Sequence, residues 1–159
     1  MKKNNYIKKI AVLILLFSFI INGEAIRIKA MEGLDEFIYD SKTKTLYCYG
    51  WSEFYNLSYK KEICPFEKEI KHVVISKGIT TLHSLCFKDF YSLETVEMPE
   101  TIKVIEFGAF QNCLSLKEIT CPKNLESIGE EAFSMCENLE SIKLNDKLKT
   151  IESGAFENC

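Results

Sequence analysis

Apolar positions in this chain return every 23 residues. Ala-Phe stands at 109–110, 132–133 and 155–156, and Cys113, Cys136 and Cys159 keep the same step. So do Leu93, Leu116 and Leu139, the set Val73, Val96, Ile119 and Ile142, and the set Leu82, Ile105, Ile128 and Ile151. A fixed period of this length marks one supersecondary unit copied and stacked, not one closed core. The units are four: 70 to about 91, 93–114, 116–137 and 139–159. Each opens on Leu-x-x-Ile-x-Leu or a close relative, which predicts a short strand. Pro99 and Pro122 stop it in the middle two, because proline has no N–H to donate and a fixed φ. A second β-prone run comes next in each unit, 79–82, 102–105, 125–128 and 148–151. After it, Ala109, Phe110 and Cys113 fall at i, i+1 and i+4, a spacing that predicts one short helical turn with an inward face. The turn is too short to stand alone. It is expected to be held by a file of stacked rings, Phe87, Phe110, Phe133 and Phe156.

The first seventy residues have a different pattern. Lys2, Lys3, Lys8 and Lys9 precede a run from Ile10 to Ile21 that is apolar except for Ser18. Gly23 and Ala25 then take the −3 and −1 places of a cleavage site. This is the pattern of a secretory signal peptide over 1–25. The run of 12 residues gives about 18 Å of helix, against roughly 30 Å of bilayer core, so no permanent membrane span is expected. Cleavage after Ala25 is the preferred reading and after Ala30 the alternative. Residues 26–36 read as a spacer. Phe37–Tyr39 and Thr45–Tyr49 flank a polar turn and read as a hairpin, which needs something to lie against. Residues 37–69 are thus the expected cap and junction, filled by Trp51, Phe54, Tyr55 and Leu57, and 70–159 the repeats, with no C-terminal cap.

The order Gly-x-x-Ala-Phe-x-x-Cys-x-x-Leu-x-x-Ile-x-x-Pro resembles the BspA-type leucine-rich repeat. It is carried by Gly129, Ala132, Phe133, Cys136, Leu139 and Ile142 in one unit, and by Ala109, Phe110, Cys113, Leu116, Ile119 and Pro122 in another. The first unit departs with Cys86 for Ala and Phe90 for Cys. Gly108 and Gly154 sit two residues later than Gly129 does, and Asn145 replaces Pro. The resemblance covers about 37–159. It implies an α/β leucine-rich-repeat solenoid of parallel strands and short helical turns with an N-terminal hairpin cap. It also implies a microbial surface protein that adheres to host or other cells, its partner a host-surface or extracellular-matrix protein.

Charge narrows the partners. The whole chain carries −3, and residues 1–25 hold four Lys and one Glu, so the remainder carries −6. Such a chain repels nucleic acid and anionic lipid. Seven cysteines are an odd number, so not all pair internally. Equal positions on successive coils lie ~4.8 Å apart with their side chains parallel, whereas a disulfide wants Cβ atoms ~3.8 Å apart and facing. Cys113, Cys136 and Cys159 therefore read as buried apolar fillers, like Phe90 in the first unit. A Cys48–Cys64 bond is left open. His72 and His83 are the two histidines. Metal-binding, phosphate-cradling and serine-nucleophile motifs are absent, so no enzyme, metal or cofactor is expected.

What remains is the outward side of the strands. One column reads Lys71, Glu94, Lys117, Glu140, and its alternating signs can pin the stack at roughly 0.2–1 kcal/mol per pair. The others read His72, Thr95, Glu118, Ser141 and Val74, Glu97, Thr120, Lys143. These two have no packing reason for their identities and are the better candidates for partner contact. The expected function is a secreted or cell-surface protein-binding repeat. The alternative is a structural fragment of a longer repeat protein, or a subunit that stacks end to end.

Overall fold

The computed structural model describes 25–29, 36–49, 53–54 and 68–159, with side chains over 37–49 and 68–159. The leader over 1–24, the junction residues Trp51, Tyr55 and Leu57, and Cys64 lie outside the described residues, as does the side chain of Phe54. The strands are β1 (Ala25–Lys29), β2 (Glu36–Asp40), β3 (Thr45–Tyr49), β4 (Glu53–Phe54), β5 (His72–Ile75) and β6 (Thr81–Leu82). They continue with β7 (Thr95–Glu97), β8 (Val104–Ile105), β9 (Glu118–Thr120), β10 (Ser127–Ile128), β11 (Ser141–Lys143) and β12 (Thr150–Ile151). The chain winds as a coil whose repeats add one rung to each of two parallel sheets. One runs β1-β2-β3-β5-β7 and resumes as β9-β11, and the other runs β4-β6-β8-β10-β12.

Register keeps the 23-residue step: Val73 pairs with Val96, Leu82 with Ile105, Ile128 with Ile151 and Ile119 with Ile142. Inward positions stack like on like and are sealed from water, from Ile70 and Leu93 to Ile128 and Cys136. The ring file forms as expected. Phe87 to Phe110 and Phe110 to Phe133 are stacked at 5.2 Å, and Phe133 to Phe156 at 5.3 Å with the planes 1° apart. Phe90 meets Phe87 edge-on at 5.5 Å. Cys113, Cys136 and Cys159 point their thiols at the carbonyls of Phe87, Phe110 and Phe133, at 3.3, 3.2 and 3.2 Å. The position thus takes a small apolar filler that also donates weakly to the coil before it. Burial raises the Cys86 and Cys113 thiols well above their usual range and Cys121 to about 11.

The expected helical turns are not there: no helix occurs among the described residues. An α-helix needs N–H(i) to C=O(i−4) bonds, and here the donors are used otherwise. Cys86, Lys88 and Phe90 donate three residues back, to His83, Leu85 and Phe87. The N–H groups between them cross to the next coil: Leu85 to Phe107, Phe87 to Ala109 at 2.8 Å and Asp89 to Gln111. The segment is a run of overlapping turns that forms a third ladder between coils. Two places per coil are left-handed to allow it. One is held by Leu85, Gly108, Glu131 and Gly154, the other by Asp89, Asn112, Met135 and Asn158. This explains why Gly108 and Gly154 sit off the place of Gly129. Gly108 is at φ +56°, where glycine is unstrained, whereas a Cβ on Gly129 would lie 2.8 Å from the Glu106 carbonyl carbon.

The hairpin forms, turned by Asp40, whose carboxylate accepts from the Lys42 N–H at 2.9 Å and the Thr43 hydroxyl at 2.9 Å. Its second strand joins the repeats in parallel, Thr45 opposite His72 and Leu46 opposite Val73. Phe37, Tyr39, Leu46 and Cys48 close the core at this end. The stretch read as a spacer instead holds most of β1, antiparallel to β2. Its sequence, Ala-Ile-Arg-Ile-Lys, alternates as a strand does.

Candidate interaction face

Alternation along a strand decides which side chains reach water, because successive Cβ atoms point to opposite faces. Lys71, Thr95, Glu97, Lys117, Glu118, Thr120, Glu140, Ser141 and Lys143 are exposed, and His72, Val74 and Glu94 are half-buried. His72, Val74, Thr95, Glu97, Glu118, Thr120, Ser141 and Lys143 lie on the outward side of their strands, and Lys71, Glu94, Lys117 and Glu140 stand immediately before those strands. Register places Thr45, His72 and Thr95 in one column and Tyr47, Val74 and Glu97 in the next. Beyond the break between β7 and β9, Glu118 pairs with Ser141 and Thr120 with Lys143. Leu144, an inward place in the repeat pattern, is 52 % exposed.

Several of these residues hold one another. Lys71 Nζ meets Glu94 Oε1 at 2.8 Å, the pairing expected of the alternating column. The two columns read as having no packing reason for their identities also make contacts within the coil: His72 Nδ1 lies 2.8 Å from Thr95 Oγ1, and Lys143 Nζ lies 2.5 Å from Glu118 Oε1. The lysine bonds hold the carboxyls of Glu94 and Glu118 below the ordinary glutamate range, and Lys117 adds to the effect on Glu94. Exposed pairs of this kind contribute roughly 0–1 kcal/mol, so a partner can displace them at little cost.

The cap enlarges the face. Outward Ile38 and Tyr47 pair across the hairpin, and Tyr47 pairs with Val74. With Tyr49, 42 % exposed, they place aromatic and aliphatic groups beside the charged columns. The repeat period does not extend to the cap, so it gave no sign of these residues. The signal was available in the alternation Phe37-Ile38-Tyr39 and Leu46-Tyr47-Cys48.

One polar cluster lies elsewhere. Glu106 Oε2 accepts from the Ser84 N–H at 3.0 Å and hydroxyl at 3.1 Å, and lies 3.1 Å from His83 Nδ1. Partial burial pushes the Glu106 carboxyl up, but the bonds from His83 and Ser84 outweigh it and hold the carboxyl low. Serine and histidine here share one carboxylate, so the serine hydroxyl is bound to the acid instead of to a base. The cluster ties the first coil to the second. Among the described residues, no three of His, Cys, Asp or Glu are grouped to hold a metal ion.

Residues 60–159 match the family model described as BspA type leucine-rich repeat region (6 copies). This chain belongs to the BspA-type leucine-rich repeat family. Its coil is similar to the crystal structure of the T. pallidum leucine-rich repeat protein, at 21% identity and TM-score 0.61, over 82% of this chain and 68% of that one. It is also similar to a leucine-rich repeat protein from Bacteroides ovatus, at 20% identity and TM-score 0.50. That likeness covers 90% of this chain, which spans 45% of the Bacteroides protein. A search of the curated proteins found no match. As a BspA-type repeat, the chain has the architecture of a protein-interaction scaffold. Among the described residues, no helix is long and apolar enough to cross a membrane.

Proposed function

We propose that this is a secreted or cell-surface protein that binds another protein through the outward side of its longer sheet, in adhesion to host or other cells. The observation that carries the reading is the continuous outward face from Ile38 and Tyr47, through Val74 and His72, to Thr95 and Glu97. Its aromatic end supplies the anchors that dominate binding energy, and its charged columns supply a polar surround. The basic, then apolar, amino-terminal pattern of 1–25 supports export, and the family supports a role in protein interaction. A second reading is end-to-end stacking of copies, to which the exposed apolar Leu144 and Ile151 would contribute.

Photo-crosslinkers installed singly at Tyr47, at Thr95 and, on the turn side, at Glu157 of the exported protein separate the readings. Partner adducts from Tyr47 and Thr95 but not Glu157 are expected. Adducts from Glu157 alone would overturn the face, and adducts with the chain itself would favour stacking.

A further inference from the structure

We propose that the leader is cut between Ala25 and Ile26, and that the new amino-terminal segment, 26–29, is the strand that closes the longer sheet at its cap end. The inference rests on the export reading. The sequence offers two cuts. Ala25 has the small Gly23 at −3, and Ala30 has the bulky, branched Ile28 there. The fold separates them. β1 pairs with β2 across five rungs, from Ala25 opposite Asp40 to Lys29 opposite Glu36. A cut after Ala25 falls at the rim of that ladder and removes its outermost rung. A cut after Ala30 removes all five.

The second outcome is costly for the cap. β2 would become the outermost strand of the sheet, with a row of backbone N–H and C=O groups open to another chain. Phe37 and Tyr39 on that strand, 3% and 1% exposed, belong to the sealed core. An edge strand that also carries core aromatics is a template for aggregation. With β1 retained, Ile26 stands opposite Tyr39 and Ile28 opposite Phe37, and the outermost of the described strands carries Arg27 and Lys29, charges of the kind that guard an edge. Processing and folding thus meet at one bond: the peptidase's −1 alanine leaves with the leader, and the new amino-terminal Ile26 is the first rung of the cap.

The full 159-residue chain, expressed in a secreting bacterium, tests this through the amino-terminal sequence of the exported protein. Ile-Arg-Ile-Lys-Ala is expected. Met-Glu-Gly-Leu-Asp, the product of the cut after Ala30, would overturn the inference and leave export standing. Protein found only inside the cell with Met1 retained would overturn the export reading and the inference together, and exported protein that keeps Met1 would overturn the inference alone. Amide exchange on the same exported protein reads the strand directly. Peptides covering 36–40 are expected to exchange at least about tenfold slower than an unfolded chain on both sides of the strand, and exchange at the unfolded rate in a chain starting at Ile26 would refute the pairing.

Discussion

Phe110 stacks on a ring on either side, whereas Phe156, among the described residues, stacks on Phe133 alone and is only partly buried. The two deletions therefore differ. Phe110→Ala breaks two stacks and leaves a cavity in the middle of the core, and is expected to cost about 3–5 kcal/mol. Phe156→Ala should cost clearly less. Urea titrations of both variants check the order, and equal midpoints would contradict the ring file as the main support. This much was legible in the residues themselves. A phenylalanine repeated at one phase four times can only pile up if the chain coils. The thiol bonds to the Phe carbonyls were not legible, because a filler and a weak donor look alike in sequence.

The turn elements show where the pattern ran short. Ala109, Phe110 and Cys113 at i, i+1 and i+4 fit one turn of helix and a run of overlapping turns equally well. What decides is the destination of the N–H groups, and that is set by the neighbouring coil. β1 was hidden for another reason: its five alternating residues directly adjoin the apolar leader, whose stronger signal masks so short a strand. The Ser84–His83–Glu106 link between coils carries a pH signature. Its carboxyl lies below the ordinary glutamate range, so the link contributes fully above that range and fades as the pH falls through the lower, folded value. His83 and Ser84 face it, and the Cys86 thiol lies close enough to feel its charge. Glu106→Gln cannot titrate. The stability gap between wild type and this variant should hold steady near neutrality and close under acid conditions, as tracked by thermal melts from pH 7 to 3. A gap that widened with acid would refute the assignment.

At the scale of the whole molecule, the cap matters to the affinity. Four repeat strands of three or four residues, about 10–13 Å each at ~4.8 Å spacing, present roughly 210 Å², and the three five-residue cap strands raise this to roughly 440 Å². A stable interface takes about 800 Å² from each partner. One copy is therefore expected to bind a globular partner weakly and transiently. Two copies joined by a flexible linker should bind an immobilised partner about 10²- to 10⁴-fold more tightly wherever both can engage. Surface plasmon resonance on the partner identified by crosslinking gives the comparison, and a single copy as tight as the tandem would mean that another surface takes part.

The three ladders between coils also bear on how such a molecule can change over generations. Each rung repeats the one before it in hydrogen bonding, ring stacking and handedness of the turn. A duplication or loss of one whole 23-residue block is therefore silent to its neighbours, while a gain or loss of a few residues inside a coil throws every later ring out of file. Reach along the sheet is inherited in discrete increments of about 4.8 Å, the width of one strand.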